Sequence, residues 1–118
     1  MQTPTNVFAT LADPIRLRCL ALIARERELC VCELVAALDL PQPKVSRHLA
    51  TMRGAGLLRD RRDAQWVLYS LAPDMPAWAK AAATAGVAAL ASDDQHVEDR
   101  KRLARASRPK RAKMKQAA

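Results

Sequence analysis

Two thiols one residue apart, Cys30 and Cys32, lie one short turn ahead of a basic run, Pro41-Gln42-Pro43-Lys44-Val45-Ser46-Arg47-His48-Leu49. Neighbouring thiolates suit a thiophilic ion, because soft sulfur prefers soft cations to hard ones. A short basic helix behind a tight turn suits the major groove of DNA. Their closeness in the chain suggests a grip on DNA that is set by what the sulfurs bind.

The polar side of the run presents Gln42, Lys44, Ser46, Arg47 and His48. Glutamine can pair with adenine and arginine with guanine, while serine and lysine suit phosphates or base edges. The plain alternative is the solvated face of an amphipathic helix. Further on, Arg59, Arg61 and Arg62 cluster where guanidinium groups would meet a nearby DNA backbone. His48 lacks a His or Cys partner at helical spacing, so a phosphate contact suits it better than a metal.

The thiols pose a geometric problem. On a regular helix, residues two apart point roughly 200° apart around the axis. Both sulfurs reach one ion only if the backbone there is extended or is drawn out of helical form. At a helix start fraying is cheap, and the helix dipole favours thiolates. An ion bridging both sulfurs would therefore distort that helix and misplace the next one on DNA. As a disulfide the pair would close almost no loop and stabilise little. Cys19 falls in an apolar helical pattern and reads as a core residue. His96, among Asp93, Asp94, Glu98 and Asp99, reads as acidic solvated surface rather than a loose divalent site.

Helices must position these groups. A first short one is expected over Thr5–Leu11. Asp13 caps a second, with Pro14 at its first position, running through Arg25. Glu26 to Leu29 reads as a polar connection. Val31, Leu34, Val35 and Leu38 form one buried face of a short helix, Asp39-Leu40-Pro41 the turn, and Gln42 to Arg53 the next helix. Two short helices joined by a tight turn make a helix-turn-helix. Leu57–Arg61 and Trp66–Leu71 alternate as strands around a tip at Arg62–Gln65, which makes a wing. Pro73 and Pro76 precede a last long helix, Ala77 to Leu90. The fold expected is mainly α: a winged helix-turn-helix of about five helices plus a two-stranded β-hairpin.

Composition bounds the rest. One small domain fits 118 residues, and scarce aromatics with abundant Ala and Leu favour helices completed by dimerisation. Of the net charge of +8, most lies in residues 92–118, which hold nine Lys and Arg against four Asp and Glu. Such a segment raises affinity for any polyanion without reading sequence. The domain is expected to cover 1–91 and to leave 92–118 as a basic, disordered tail, with only a trace of helical pattern over 97–105. Three cysteines and no signal peptide point to a reducing cytoplasm, and no apolar run spans a bilayer.

Together, Glu28-Leu29-Cys30-Val31-Cys32-Glu33-Leu34, the run Gln42–Leu49, Gly56-Leu57-Leu58, Trp66-Val67-Leu68-Tyr69 and Pro76-Ala77-Trp78-Ala79 resemble the arsenic-responsive repressors of the ArsR/SmtB family. The resemblance covers about residues 7–80. It implies a homodimer joined through its first and last helices and bound to palindromic operator double-stranded DNA. Trivalent arsenic or antimony, As(III) or Sb(III), bound at Cys30 and Cys32 would release it from the DNA. The chain departs from the family pattern at Val35, where a third cysteine usually stands. Cys19 is thus a possible third ligand, and a two-thiol site also suits methylated or aryl arsenic. Pro41 replaces the usual capping Ser, and Ala64 replaces the usual wing-tip Gly.

The resulting expectation is a cytoplasmic metalloregulatory repressor with no catalytic cofactor and no membrane partner. DNA contacts are expected from Gln42, Lys44, Ser46, Arg47, His48, Arg61 and Arg62. Rivals of the same fold are a Cd/Pb-responsive repressor and a thiol-redox regulator. A generic polyanion binder driven by residues 92–118 is a further rival. An enzyme fits poorly, since no His, Asp or Arg constellation surrounds the thiols.

Overall fold

The structure, a computed structural model, describes residues 3–109. These form six helices and three strands: α1 (Pro4–Leu11), α2 (Pro14–Glu26), β1 (Leu29–Cys30), α3 (Val31–Leu38), α4 (Gln42–Gly54), β2 (Leu58–Asp63), β3 (Trp66–Leu71), α5 (Ala77–Ala89) and α6 (Asp94–Arg105). Local chemistry sets the boundaries. Asp13 Oδ1 accepts from the amides of Ile15 and Arg16 at 2.9 and 3.0 Å, and Pro14 occupies the first turn of α2. Asp39 ends α3 in the left-handed region at φ 55°, a conformation its short polar side chain tolerates. Pro41 precedes α4 without any side-chain cap, as expected from its lack of a hydroxyl.

The middle of α2 is the hub. Cys19, Leu20, Ala21, Leu22 and Ile23 are all buried, and every other helix packs on it. Leu34 and Leu38 of α3, Val45, Leu49 and Met52 of α4, and Leu57 and Leu58 complete an aliphatic core. On the far side α1 packs on α5. Those two helices leave Phe8 57% and Trp78 39% exposed, the large apolar side chains most open to solvent among the described residues. No helix of the described residues is long and apolar enough to cross a membrane.

The sheet departs from expectation first. The sheet has three strands, in the order β1-β3-β2, rather than two. The segment read as a polar connection contributes β1, with Leu29 opposite Tyr69 and Cys30 opposite Leu68. The first wing strand runs on to Asp63 rather than ending at Arg61, so that Ala64 and Gln65 alone form the tip, while the second is the expected Trp66–Leu71. Ala64 takes φ 55° there, at a cost of about 1 kcal/mol relative to glycine.

The second correction concerns the tail. Residues 94–105 are a helix that belongs to the domain, so the fold does not end at residue 91. Asp93 caps α6 through the amides of Gln95 and His96. Leu103 and His96 are buried against the body, and Asp99 is 0% exposed. Asp99 is held by Arg18 and Arg102, so α6 docks by pairing charges as well as by burying apolar groups. The run Arg108 to Lys115, expected to be disordered, lies mostly outside the described residues; Arg108 itself is placed, against Glu33 and Glu26.

Candidate nucleic-acid interface and thiol site

Burial of Val45, Leu49 and Met52 turns the opposite side of α4 outward. Gln42, Lys44 and Arg47 are exposed and Ser46 is half-buried, with Gln42 Nε2 3.4 Å from Ser46 Oγ. These four form one polar surface at the start of the helix that a groove would receive. His48 is placed otherwise. Its Nδ1 lies 3.3 Å from Arg16 Nη1, and Arg16 Nε donates to the Thr10 carbonyl at 2.6 Å. His48 therefore buttresses α4 against α2, and Arg16 is a cation beside α4 that sequence reasoning passed over.

The wing separates its arginines. Arg61 forms a two-pronged pair with Glu28, Nε to Oε2 at 2.6 Å and Nη2 to Oε1 at 2.8 Å, and Asp63 lies 3.8 Å away. The hydrogen bond to Glu28 raises the Arg61 pKa further above its ordinary value. Arg61 thus fastens β2 to the segment entering β1, so its guanidinium is engaged by Glu28 within the fold. Glu28, buried and just before β1, was hidden within what looked like a polar connection. Arg59 Nε reaches Ser70 Oγ at 3.4 Å, while Arg62 is exposed near the tip.

The thiol site resolves the problem of spacing. Cys30 is not helical: it sits in β1 at φ −82°, ψ 162°, and serves as N-cap of α3, whereas Cys32 lies within the first turn. Across this strand-to-helix step the two Cα atoms are 5.4 Å apart and the sulfurs converge without unwinding α3. They are joined as a disulfide, although such a short loop makes the bond a poor structural staple. Cys30 Sγ accepts from the Glu33 amide at 3.3 Å, and Glu33 Oε1 accepts from the Cys30 amide at 2.8 Å, a capping box with sulfur in the place of a hydroxyl. Cys32 is exposed and Cys30 buried.

No third sulfur joins them. Val35 carries no donor, and Cys19 is enclosed in the core, where burial pushes its thiol up to about 12. Among the described residues no group of three His, Cys, Asp or Glu side chains is placed to hold a metal ion. His96 is only 5% exposed, which corrects its reading as solvated surface.

Comparison with known proteins bears on this arrangement. The family model described as "Bacterial regulatory protein, arsR family" matches residues 13–60, from the cap of α2 into the wing. The arsenic resistance transcriptional regulators ArsR1 and ArsR2 of Pseudomonas putida are similar to the chain at 61% identity over 79 residues and 55% over 78. These alignments cover 67% and 66% of this chain and 62% and 68% of the relatives. The chain belongs to the arsR family. The arsR-type fold extends to solved structures: reduced HlyU from Vibrio cholerae superposes with a TM-score of 0.64 at 31% identity, over 75% of this chain and 88% of that one. In this arsR-family chain the matched stretch contains both thiols, the helix-turn-helix and the first half of β2, whereas α6 lies beyond it.

Proposed function

We propose that the protein is a transcriptional repressor that binds operator DNA as a homodimer and lets go when trivalent arsenic or antimony is captured by Cys30 and Cys32. One observation carries the reading: Cys30 belongs to two DNA-facing parts at once. It pairs with Leu68 of the wing strand β3, and it caps α3, the first helix of the helix-turn-helix. Once a cellular thiol has reduced the disulfide, an ion held between the two thiolates keeps the sulfurs farther apart than the S–S bond does and engages the sulfur that accepts from the Glu33 amide. The distortion then acts on wing and helix-turn-helix together, and no unwinding of α3 is needed to begin it.

On DNA, Gln42, Lys44, Ser46 and Arg47 enter the major groove and Arg62 meets the backbone, with His48 and Arg61 supporting them from behind. A two-fold dimer would reach half-sites about one helical turn apart. Exposed Phe8 and Trp78 on the packed pair α1 and α5 support dimerisation through those helices. Kinship with arsenic resistance regulators supports arsenic as inducer and a regulatory role without catalysis. The two-thiol site takes inorganic arsenite completed by water or a small thiol, and also methylated or aryl arsenic. A reducing cytoplasm would keep the thiols free.

The test is release of a labelled duplex, recovered by the protein from a random library, at fixed salt and with a phosphine reductant. Arsenite, methylarsenite, antimonite, cadmium and zinc are titrated in turn. Cys30→Ser and Cys32→Ser keep DNA affinity and lose release, and Cys19→Ser stays near wild type. A Cys30→Ser/Cys32→Ser double variant that still lets go in arsenite sinks the reading. Release by cadmium in preference to arsenite would favour the Cd/Pb rival. A second reading is favoured by the joined sulfurs themselves: a redox regulator that leaves DNA when the pair oxidises. It predicts release by peroxide, recovery with reductant and indifference to arsenite.

A further inference from the structure

The segment after α6 reaches back to the thiol site. Arg108 Nε donates to Glu33 Oε2, and its Nη1 donates to Glu26 Oε1 at 3.0 Å. Glu33 is buried, and its other oxygen accepts from the amide of Cys30. A single carboxylate therefore ties Arg108 to the residue bearing the first sulfur. Nearer the middle of α6, Arg102 Nε donates to the Ala37 carbonyl at 2.7 Å, and Asp99 holds Arg18, whose Nη2 donates to the Leu38 carbonyl at 3.2 Å. The segment runs antiparallel along α3 and grips both ends: the sulfur end through Glu33, and the turn before α4 through Ala37 and Leu38.

We propose that Arg108 is a positioning residue for the inducer response: by holding Glu33 it stabilises the Cys30 junction in its DNA-competent arrangement, and so sets how much inducer is needed for release. The inference rests on the reading of Cys30 and Cys32 as the inducer site. Arg108 acts on an equilibrium between two arrangements of the junction. While the DNA-competent one dominates, weakening the tie hardly changes DNA affinity but lowers the inducer concentration that tips the balance.

The full-length protein is titrated with arsenite in the same release assay. Arg108→Ala is expected to reach half-release at about three- to ten-fold less arsenite, with DNA affinity before arsenite within about two-fold of wild type. Arg108→Lys recovers most of the shift. Glu33→Gln shows the same shift, and the double variant adds nothing further, because both act through one contact. Arg105→Ala removes one positive charge from the end of α6 without touching Glu33 and keeps the wild-type midpoint. An unshifted or raised midpoint in Arg108→Ala, additive shifts in the double variant, or an equal shift in Arg105→Ala overturns the proposal. A wild-type protein that keeps its DNA in arsenite brings down the inducer-site reading and this inference with it. Wild-type release with unshifted variants brings down this inference alone.

Discussion

Arg18 of α2 grips Asp99 of α6 with two parallel hydrogen bonds, Nε to Oδ2 and Nη2 to Oδ1, both 2.9 Å long. Asp99 is shut off from solvent, and Arg102 supplies a second cation. Removing one partner of a buried pair leaves the other charge uncompensated. Asp99→Ala should therefore cost about 3 kcal/mol in urea denaturation, whereas Lys101→Ala, which breaks the exposed pair with Glu98, should cost well under 1 kcal/mol. Equal losses would mean that α6 is not docked through Asp99.

Arg61 and Arg62 are neighbours with different duties. Arg62→Ala should weaken DNA binding and lower the slope of log affinity against log salt by about 1. Arg61→Ala should leave that slope nearly unchanged and instead destabilise the fold by about 1 kcal/mol, as expected for a partly exposed pair with Glu28. Salt titrations and denaturation of both variants separate the two roles.

His96 gives the stability a pH dependence. Burial, and then the nearby Arg100 charge, lower its pKa below the ordinary value of 6.5. The unfolded chain then takes up the proton more readily than the folded one. The contribution is fully present above pH 6.5 and is lost as the pH falls through the lower folded value. Asp99 and Asp93 oppose this depression and Arg25 adds to it. Denaturation at pH 7.5 and 5.5 should show a loss on acidification that is smaller in His96→Gln than in wild type.

The three thiols should differ in reactivity. After phosphine reduction at pH 8, iodoacetamide should label exposed Cys32 first and buried Cys30 more slowly. Cys19, fully enclosed and with its pKa pushed up to about 12, should stay unlabelled until denaturant is added. Mass spectrometry of a labelling time course shows the order, and early labelling of Cys19 would contradict its place in the core.

Much of this architecture was legible from local pattern. Asp13-Pro14 marks the start of α2, the spacing of Val31, Leu34 and Leu38 marks α3, and alternation through Trp66–Leu71 marks β3, because each signal is complete within a few residues. What escaped depends on distant partners. β1 is two residues long, and its partners, Tyr69 and Leu68, lie on a strand far along the chain. Asp99 looks solvated until Arg18 is brought to it, and Arg61 looks free until Glu28 is. In the same way the spacing of Cys30 and Cys32 looked unsuited to convergence only while both were assumed to be helical.

The middle of α6 and the segment after it differ in how they are fastened. The Asp99 pairs have their carboxylate shut off from solvent, while both partners of the Arg108–Glu26 pair are partly open to it. Dissolved salt screens the second and barely touches the first. Rising ionic strength would thus weaken the Arg108–Glu26 contact first, leaving the carboxylates of Asp99 and Glu33 to keep α6 and the segment after it moored to the body.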